Sequence, residues 1–439
     1  MHMFWIEFAI VLVAIFVGAR LGGIGLGVMG GIGLSVLTFG FNLQPTSPPI
    51  DVMLMIVSVI TAAAAMQAAG GLDYLVKLAE GVLRKNPNRI TYYGPIVSYL
   101  FTLVAGTGHV CYSILPVISE VARETGVRPE RPLSIAVIAS QQAITASPIS
   151  AATVALLGML TPYNFQLIDI LMISIPATFV GVLLGAFAAN KMGKDLKDDP
   201  EYQKLLKEGK LKSNSERVEK EVPLTAKISV GLFVLGAFAI VMFGSFESLR
   251  PVWNVGGEMV KMGMPATIEM VMMAIAALIL IFSKVKVEEV AKGNVFSAGM
   301  QAVIAIFGIA WMGDTFFAAN MDYLGGGIKE MVTNMPWLFA FALFVLSILL
   351  YSQAATVRAL MPLGIALGLP APALIAMFPS VNGYFFIPNY PTVVAAINFD
   401  QTGTTRIGKY LLNHSFMIPG MVATIGAVSM GFLLISILF

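Results

Sequence analysis

Residues 141–154 read QQAITASPISAATV, with two serines, two threonines and a proline inside a long apolar region. A proline at 148 removes a backbone donor and interrupts an α-helix, and lipid cannot satisfy the N–H and C=O groups so freed. Non-helical backbone is tolerated at membrane depth only where it is buried in protein or lines a water-filled cavity. If this region lies in a bilayer, the break marks a site.

The rest of the chain supplies the bilayer. Its 439 residues are 57% hydrophobic and 12% charged, roughly half the charged fraction of an ordinary soluble domain, and the mean hydropathy is +0.83. Apolar runs of roughly 20 residues, enough to cross as a helix, recur along the chain without the alternation of lipid-facing barrel strands. The fold class is therefore an all-α polytopic membrane protein. The segment MHMFWIEFAIVLVAIFVGAR lacks a basic leader and a small-residue cleavage site before its arginine, and reads as a retained first span. The single cysteine, Cys111, excludes an intrachain disulfide, and three histidines without companion cysteines give no zinc spacing. A net charge of +2, dispersed along the chain, does not suggest nucleic acid. Neither a metal nor another cofactor is expected.

Lysine and arginine favour cytoplasmic loops. They cluster at 77–89, 123–131, 191–227 and 284–292, and at Arg406 and Lys409, whereas 41–50, 164–166, 245–263 and 320–336 are poor in them. Placing every cluster inside gives spans near 5–19, 21–40, 52–72, 132–163, 167–189, 225–244, 265–283, 298–319, 372–398 and 411–437, with both termini periplasmic. Two apolar stretches begin and end on one side of the membrane. Residues 90–122, interrupted by GTGH at 106–109, read as a re-entrant hairpin from the inside; residues 337–368, interrupted near YSQAAT at 351–356, read as one from the outside. Each half then holds about five spans plus one hairpin, and the odd number of crossings inverts the second half. The expected organisation is a first repeat at 1–190, a cytoplasmic linker at 191–224 and a second repeat at 225–439. Aligning Pro116 with Pro362 and Pro148 with Pro391 sets YSILPVI against RALMPLG and SPISAAT against YPTVVAA. The mixed-charge linker is read as a solvated tether.

The span at 372–398 is also broken, by SVNGYFFIPNYPT at 380–392. Two broken spans and two hairpins meeting near the midplane would gather several helix N-termini, whose free amides and partial positive charge suit an anion. Candidate binding residues are Gly106, Thr107, Gly108 and His109; Thr145, Ser147, Pro148 and Ser150; Ser352, Gln353, Thr356 and Arg358; and Asn382, Asn389, Tyr390, Pro391 and Thr392. Hydroxyls that bond back to the backbone are the alternative reading of the serines and threonines. Arg358 could grip a carboxylate or snorkel to the surface. Asp314 could bind a coupling proton, pair with Arg358 or cap a helix after Gly313. Glu80 and Arg84, four apart on a helix, and Arg128 and Arg131 could gate an inner mouth or merely set topology. No G-x-S-x-G, H-E-x-x-H or P-loop pattern occurs, so an enzyme is not expected.

The strings GTGHVCYSILPVISEVARETGVRPERPLS (106–134), ITASPISAATV (144–154), YSQAAT, IPNYPT (387–392) and DQTGTTRIGKYLLNHSFMIPG (400–420) resemble the anaerobic four-carbon dicarboxylate transporters of bacteria, the Dcu family. The likeness runs over essentially the whole chain. It implies movement of fumarate, succinate, malate and aspartate across the bacterial inner membrane, typically as fumarate/succinate exchange. It also implies kinship with elevator-type carriers, a homodimer in the lipid bilayer, and cooperation with a membrane sensor kinase. A proton-coupled symporter or an anion channel are the alternatives.

Overall fold

The computed structural model describes residues 2–21, 24–108, 110–208, 222–320, 334–350, 352–388, 390–408 and 412–438. Almost every element is a helix. The first is α1 (His2–Leu21), followed by α2 (Gly25–Ser35), which a π turn prolongs over Val36–Gly40. Next come α3 (Ile50–Ala68), α4 (Gly71–Lys85), α5 (Ile90–Ala105) and α6 (Val110–Glu124). Helices α7 (Glu130–Ile144), α8 (Ala151–Leu160) and α9 (Leu167–Asn190) complete the first half, and the short α10 (Pro200–Lys207) follows. The second half holds α11 (Leu224–Ser245), α12 (Met264–Ser283), α13 (Val287–Lys292) and α14 (Asn294–Ala319). It continues through α15 (Pro336–Leu350), α16 (Gln353–Ala366) and α17 (Ala371–Met377), a 3₁₀ stretch at Phe378–Phe385, α18 (Pro391–Phe399) and α19 (Met417–Leu438).

Two layers position the site. One is a row in which α1 packs on α2, α2 on α14, α14 on α3, α3 on α12 and α12 on α11. The other holds the hairpins and broken helices: α5 lies on α7, α15 on the 3₁₀ stretch, α6 on α18, and α9 along α19. Helix α16 bridges them, touching α14 on one side and α8 on another. Among the described residues, α9, α11, α12 and α19 are each long and apolar enough to cross a membrane.

The chain departs from its expected outline where polar periodicity was read as loop. Residues 77–89 are not a simple basic loop. Gly70, at φ +80°, ends α3, and α4 leaves it at 72° as an amphipathic helix burying Leu75, Ala79 and Leu83 on one face. Residues 245–263 contain an antiparallel hairpin, Val252–Val255 paired with Glu258–Lys261, turned by Gly256 and Gly257 at positive φ. The last span begins at Met417 rather than 411, and the linker is not merely a tether, because its first residues are docked against the α6–α7 loop (below).

The row is drawn tight by small residues. A Cβ on Gly308 of α14 would overlap the Gly27 carbonyl of α2, and one on Gly30 would overlap the backbone at Gly308, whereas Gly31 faces open space. In lipid, such close backbone approach supplies the packing that no hydrophobic effect provides. Gly308→Val should therefore lower thermal stability in detergent by at least about 1–3 kcal/mol, while Gly31→Ala should leave it unchanged; equal effects would show that this contact is not a tight one.

Candidate functional site

The hydroxyls of 141–154 repair the break they accompany. Helix α7 stops at Ile144 and α8 starts at Ala151. Ser150 caps α8, accepting from Thr153 N at 3.1 Å and donating to the orphaned Ile144 carbonyl. Thr145 donates to Gln142 O (2.8 Å) and Ser147 to Leu103 O (2.7 Å). Ser352 caps α16 in the same way, accepting from Ala355 N at 3.2 Å and receiving Thr356 Oγ1 on its carbonyl at 2.8 Å. The hydroxyl protons of Thr145, Ser147, Ser150 and Thr356 are therefore spent on backbone, the alternative weighed for them in the sequence.

What the breaks bring together is a buried cluster of amides. Gln353 Nε2, at the start of α16, donates to Gln141 Oε1 (2.7 Å) and Asn382 Oδ1 (3.2 Å). Asn382 Nδ2 donates to Gln142 Oε1 (3.3 Å), to Thr145 Oγ1 (3.4 Å) and to Pro379 O (3.1 Å). Gln142 Nε2 reaches Thr424 Oγ1 of α19 at 3.1 Å. Gly108, at the tip between α5 and α6, lies so close that a Cβ there would stand 2.7 Å from Gln141 Nε2. Both hairpin tips and both broken spans thus meet at one point, where Gln141, Gln142 and Asn382 are each at most 1% exposed. Gln141, Gln142 and Thr424 were not among the sequence candidates. The signal was present: two adjacent amides in an apolar helix have donors and acceptors that their own segment cannot satisfy.

The remaining candidates spread around this junction. Gly106 ends α5 at φ +70°, and half-buried Thr107 follows it. The Tyr390 ring stands 4.7 Å from that of Tyr384, Pro391 opens α18, and the buried Thr392 Oγ1 has no hydrogen-bond partner among the described residues. Pro148 sits half-buried in the break. His109 and Asn389 lie outside the described residues.

The charged candidates lie elsewhere. Arg358 is about 140° around α16 from Gln353 and faces α14, with Nη2 3.3 Å from Asp314 Oδ2. Asp314 is inside α14, five residues before its end, so it caps nothing; its partner is Arg358. Arg84 binds Glu80 (2.7 Å), Glu120 (3.3 Å) and Glu124 (3.0 Å). Arg131 is taken up by Asp195 (2.7 Å) and by the carbonyls of Met192 and Gly193. Arg128 binds Glu130 and Asp199 with all three residues buried. Burial weighs against its charge, but the two carboxylates outweigh burial and hold the guanidinium above its ordinary range. Glu130 also accepts from Ser415, and its N–H meets Thr404, itself bound to Asp400. These arginines are internally neutralised; Arg84 joins α4 to α6, while Arg128 and Arg131 tie the linker to the chain around Glu130, Thr404 and Ser415.

Two helical hairpins and two interrupted helices that meet at a buried polar centre, among helices apolar enough to cross a membrane, define the fold class as a polytopic membrane protein. Solved structures agree on the fold. The YdaH transporter of Alcanivorax borkumensis matches with a TM-score of 0.55 at 12% identity, over 96% of this chain and 98% of that one. MtrF of Neisseria gonorrhoeae, described as one of a class of antimetabolite efflux pumps, matches at 0.55 and 13% identity, over 90% and 83%. Residues 3–439 match the anaerobic C4-dicarboxylate membrane transporter family, DcuA/DcuB, and the chain belongs to that family. It is similar to the C4-dicarboxylate transporter DcuA of Wolinella succinogenes (46% identity over 98% of this chain and 99% of the relative). It is likewise similar to DcuA of Escherichia coli K12 (44%, 98% and 99%) and to DcuB of Escherichia coli O6:H1 (41%, 96% and 96%). The chain is thus a multi-pass membrane protein of a transporter family.

Removing Arg128 would leave Glu130 and Asp199 buried without a counter-charge. Arg128→Ala should therefore cost about 3–5 kcal/mol of stability, and exposed Lys204→Ala should cost under about 0.5 kcal/mol, both read as thermal unfolding in detergent.

Proposed function

We propose that this protein carries four-carbon dicarboxylates, among them fumarate, succinate, malate and aspartate, across the bacterial inner membrane by exchange with alternating access. The single observation that carries the assignment of a site is the amide junction of Gln141, Gln142, Gln353 and Asn382. A dianion entering a protein loses hydration and must find many donors. Each carboxamide offers two N–H donors, and none brings a charge that would have to be desolvated when the site is empty. The amides bond to one another, and cargo would take over those donors, with the capped N-termini of α8 and α16 adding partial positive charge. Arg358 is not part of this site.

The reading of 1–190 and 225–439 as inverted repeats, with 191–224 between them, is supported by the packing order, and the periplasmic placing of both termini rests on the basic loops alone. The row α1–α2–α14–α3–α12–α11 reads the same from either end if α1, α2 and α3 answer to α11, α12 and α14. The contact of α8 with α16 then answers to that of α18 with α6. Re-entry of the hairpins is supported by length, since α5, α6, α15 and α16 have 16, 15, 15 and 14 residues, fewer than the roughly 20 a crossing needs. In the movement we propose, the hairpin layer slides as a unit past the row, as in an elevator.

Purified protein in liposomes loaded with succinate should take up labelled fumarate, and uptake should require internal succinate and survive collapse of the proton gradient. Gln353→Leu and Asn382→Leu should each reduce apparent affinity about tenfold or more, as loss of one or two hydrogen bonds to a charged ligand implies. Uptake that ignores internal succinate and follows the proton gradient would make the protein a symporter instead, and dissipation without counterflow would make it a channel.

A further inference from the structure

The two buried arginine clusters are built differently. Arg128 spends Nε on Glu130 and Nη1 on Asp199, and Gly193, at φ +57°, presses against its side chain. That guanidinium is fixed on two carboxylates. Arg358 makes one contact with Asp314, at 3.3 Å, and its buried Nε has no acceptor among the described residues. Charge-assisted N–H···O bonds usually measure about 2.7–2.9 Å, so the Arg358 contact is long and half-used.

The place of this loose pair matters. Arg358 is on α16, whose first residue is the Gln353 of the junction, and Asp314 is on α14, a member of the row. Among the described residues it is the one ion pair between the row and the hairpin helices. Around it the packing is apolar: Ala355 and Ala359 of α16 cluster with Ile309, Met312 and Phe316 of α14. Such a surface has no hydrogen bonds to break on sliding, which leaves the ion pair as the specific bond across it.

We propose that Asp314 is a positioning residue for this movement: bound to Arg358, it latches α16 to the row, and this bond must part before the site changes sides. The proposal rests on the reading that the hairpin layer moves past the row. A long, single contact suits a latch because it opens more readily than a two-carboxylate clamp, yet an orphaned charge at membrane depth keeps the unlatched state sparse.

The test uses two readouts, one independent of transport. Ala355 is 0% exposed in the contact, and the native Cys111 is equally buried, so Ala355→Cys provides a single reporter cysteine at the sliding surface. In membranes, its labelling by a small maleimide should be slow, and the paired change Asp314→Asn with Arg358→Gln, which removes both charges and leaves neither orphaned, should speed it about tenfold. In succinate-loaded liposomes, the same variant should raise the rate of transport by a similar factor. The reversed pair, Asp314→Arg with Arg358→Asp, should bring both readouts back towards the native values, which a merely structural effect would not do. Labelling and transport rate both unchanged in the neutral variant would overturn the latch even if exchange itself is found. Faster labelling in a protein that shows no exchange would keep the latch and refute the exchange reading instead. If the neutral variant is lost to misfolding, Asp314→Glu, which keeps the charge but moves it, must still change the labelling rate, and an unchanged rate there overturns the proposal.

Discussion

Every N–H and C=O at membrane depth needs a partner inside the protein, and the architecture of this chain follows from how it meets that demand at its helix breaks. Ser150 and Ser352 cap the helices that restart, Gly106 ends the helix before the first hairpin tip, and Asn382 returns to the carbonyl of Pro379. Each repair uses a short polar side chain or a glycine, so the breaks bring polarity into the core without bringing charge. The breaks cannot face lipid, and they are buried against one another. A junction of amides is the consequence.

Charge is handled by a separate rule. Three arginines near the loops are consumed by carboxylates of the same protein: Arg84 by three, Arg128 by two and Arg131 by one. The proposed cargo supplies its own charge, so a neutral, donor-rich centre avoids desolvating a fixed cation whenever the carrier is empty. Arg358 and Asp314 are the exception at depth, and they lie between layers rather than at the junction.

Much of this was legible in the sequence because proline, glycine and clustered hydroxyls change the local backbone wherever they occur. Pro148, the GTGH turn and the 380–392 segment marked three of the four breaks, and SQAAT marked the cap of α16. Side-chain direction was less legible. Arg358 lies in the expected helix, but whether it looks towards Gln353 or towards α14 depends on a rotation of about 140° that only tertiary packing fixes. Gln141 and Gln142 carry a stronger signal than the hydroxyls beside Pro148, because hydroxyls can bond back to their own helix and amides at that place need partners from other elements. The docking of Asp195 and Asp199 on Arg131 and Arg128 joins residues more than 60 apart, and a mixed-charge segment gives no sign of it. Glu80 and Arg84 mark part of α4 in the sequence, but its full length from Gly71 to Lys85 shows only when the apolar face of Leu75, Ala79 and Leu83 is read with the charged one.

Electron cryomicroscopy of the protein in lipid nanodiscs, with and without saturating succinate, would show whether the amide junction receives the dicarboxylate. Ligand density is expected at the junction, with carboxylate oxygens at about 3 Å from the amide nitrogens of Gln353 and Asn382, and with the Gln353 to Gln141 bond broken. Succinate density elsewhere, with the amides still bonded to one another, would contradict it.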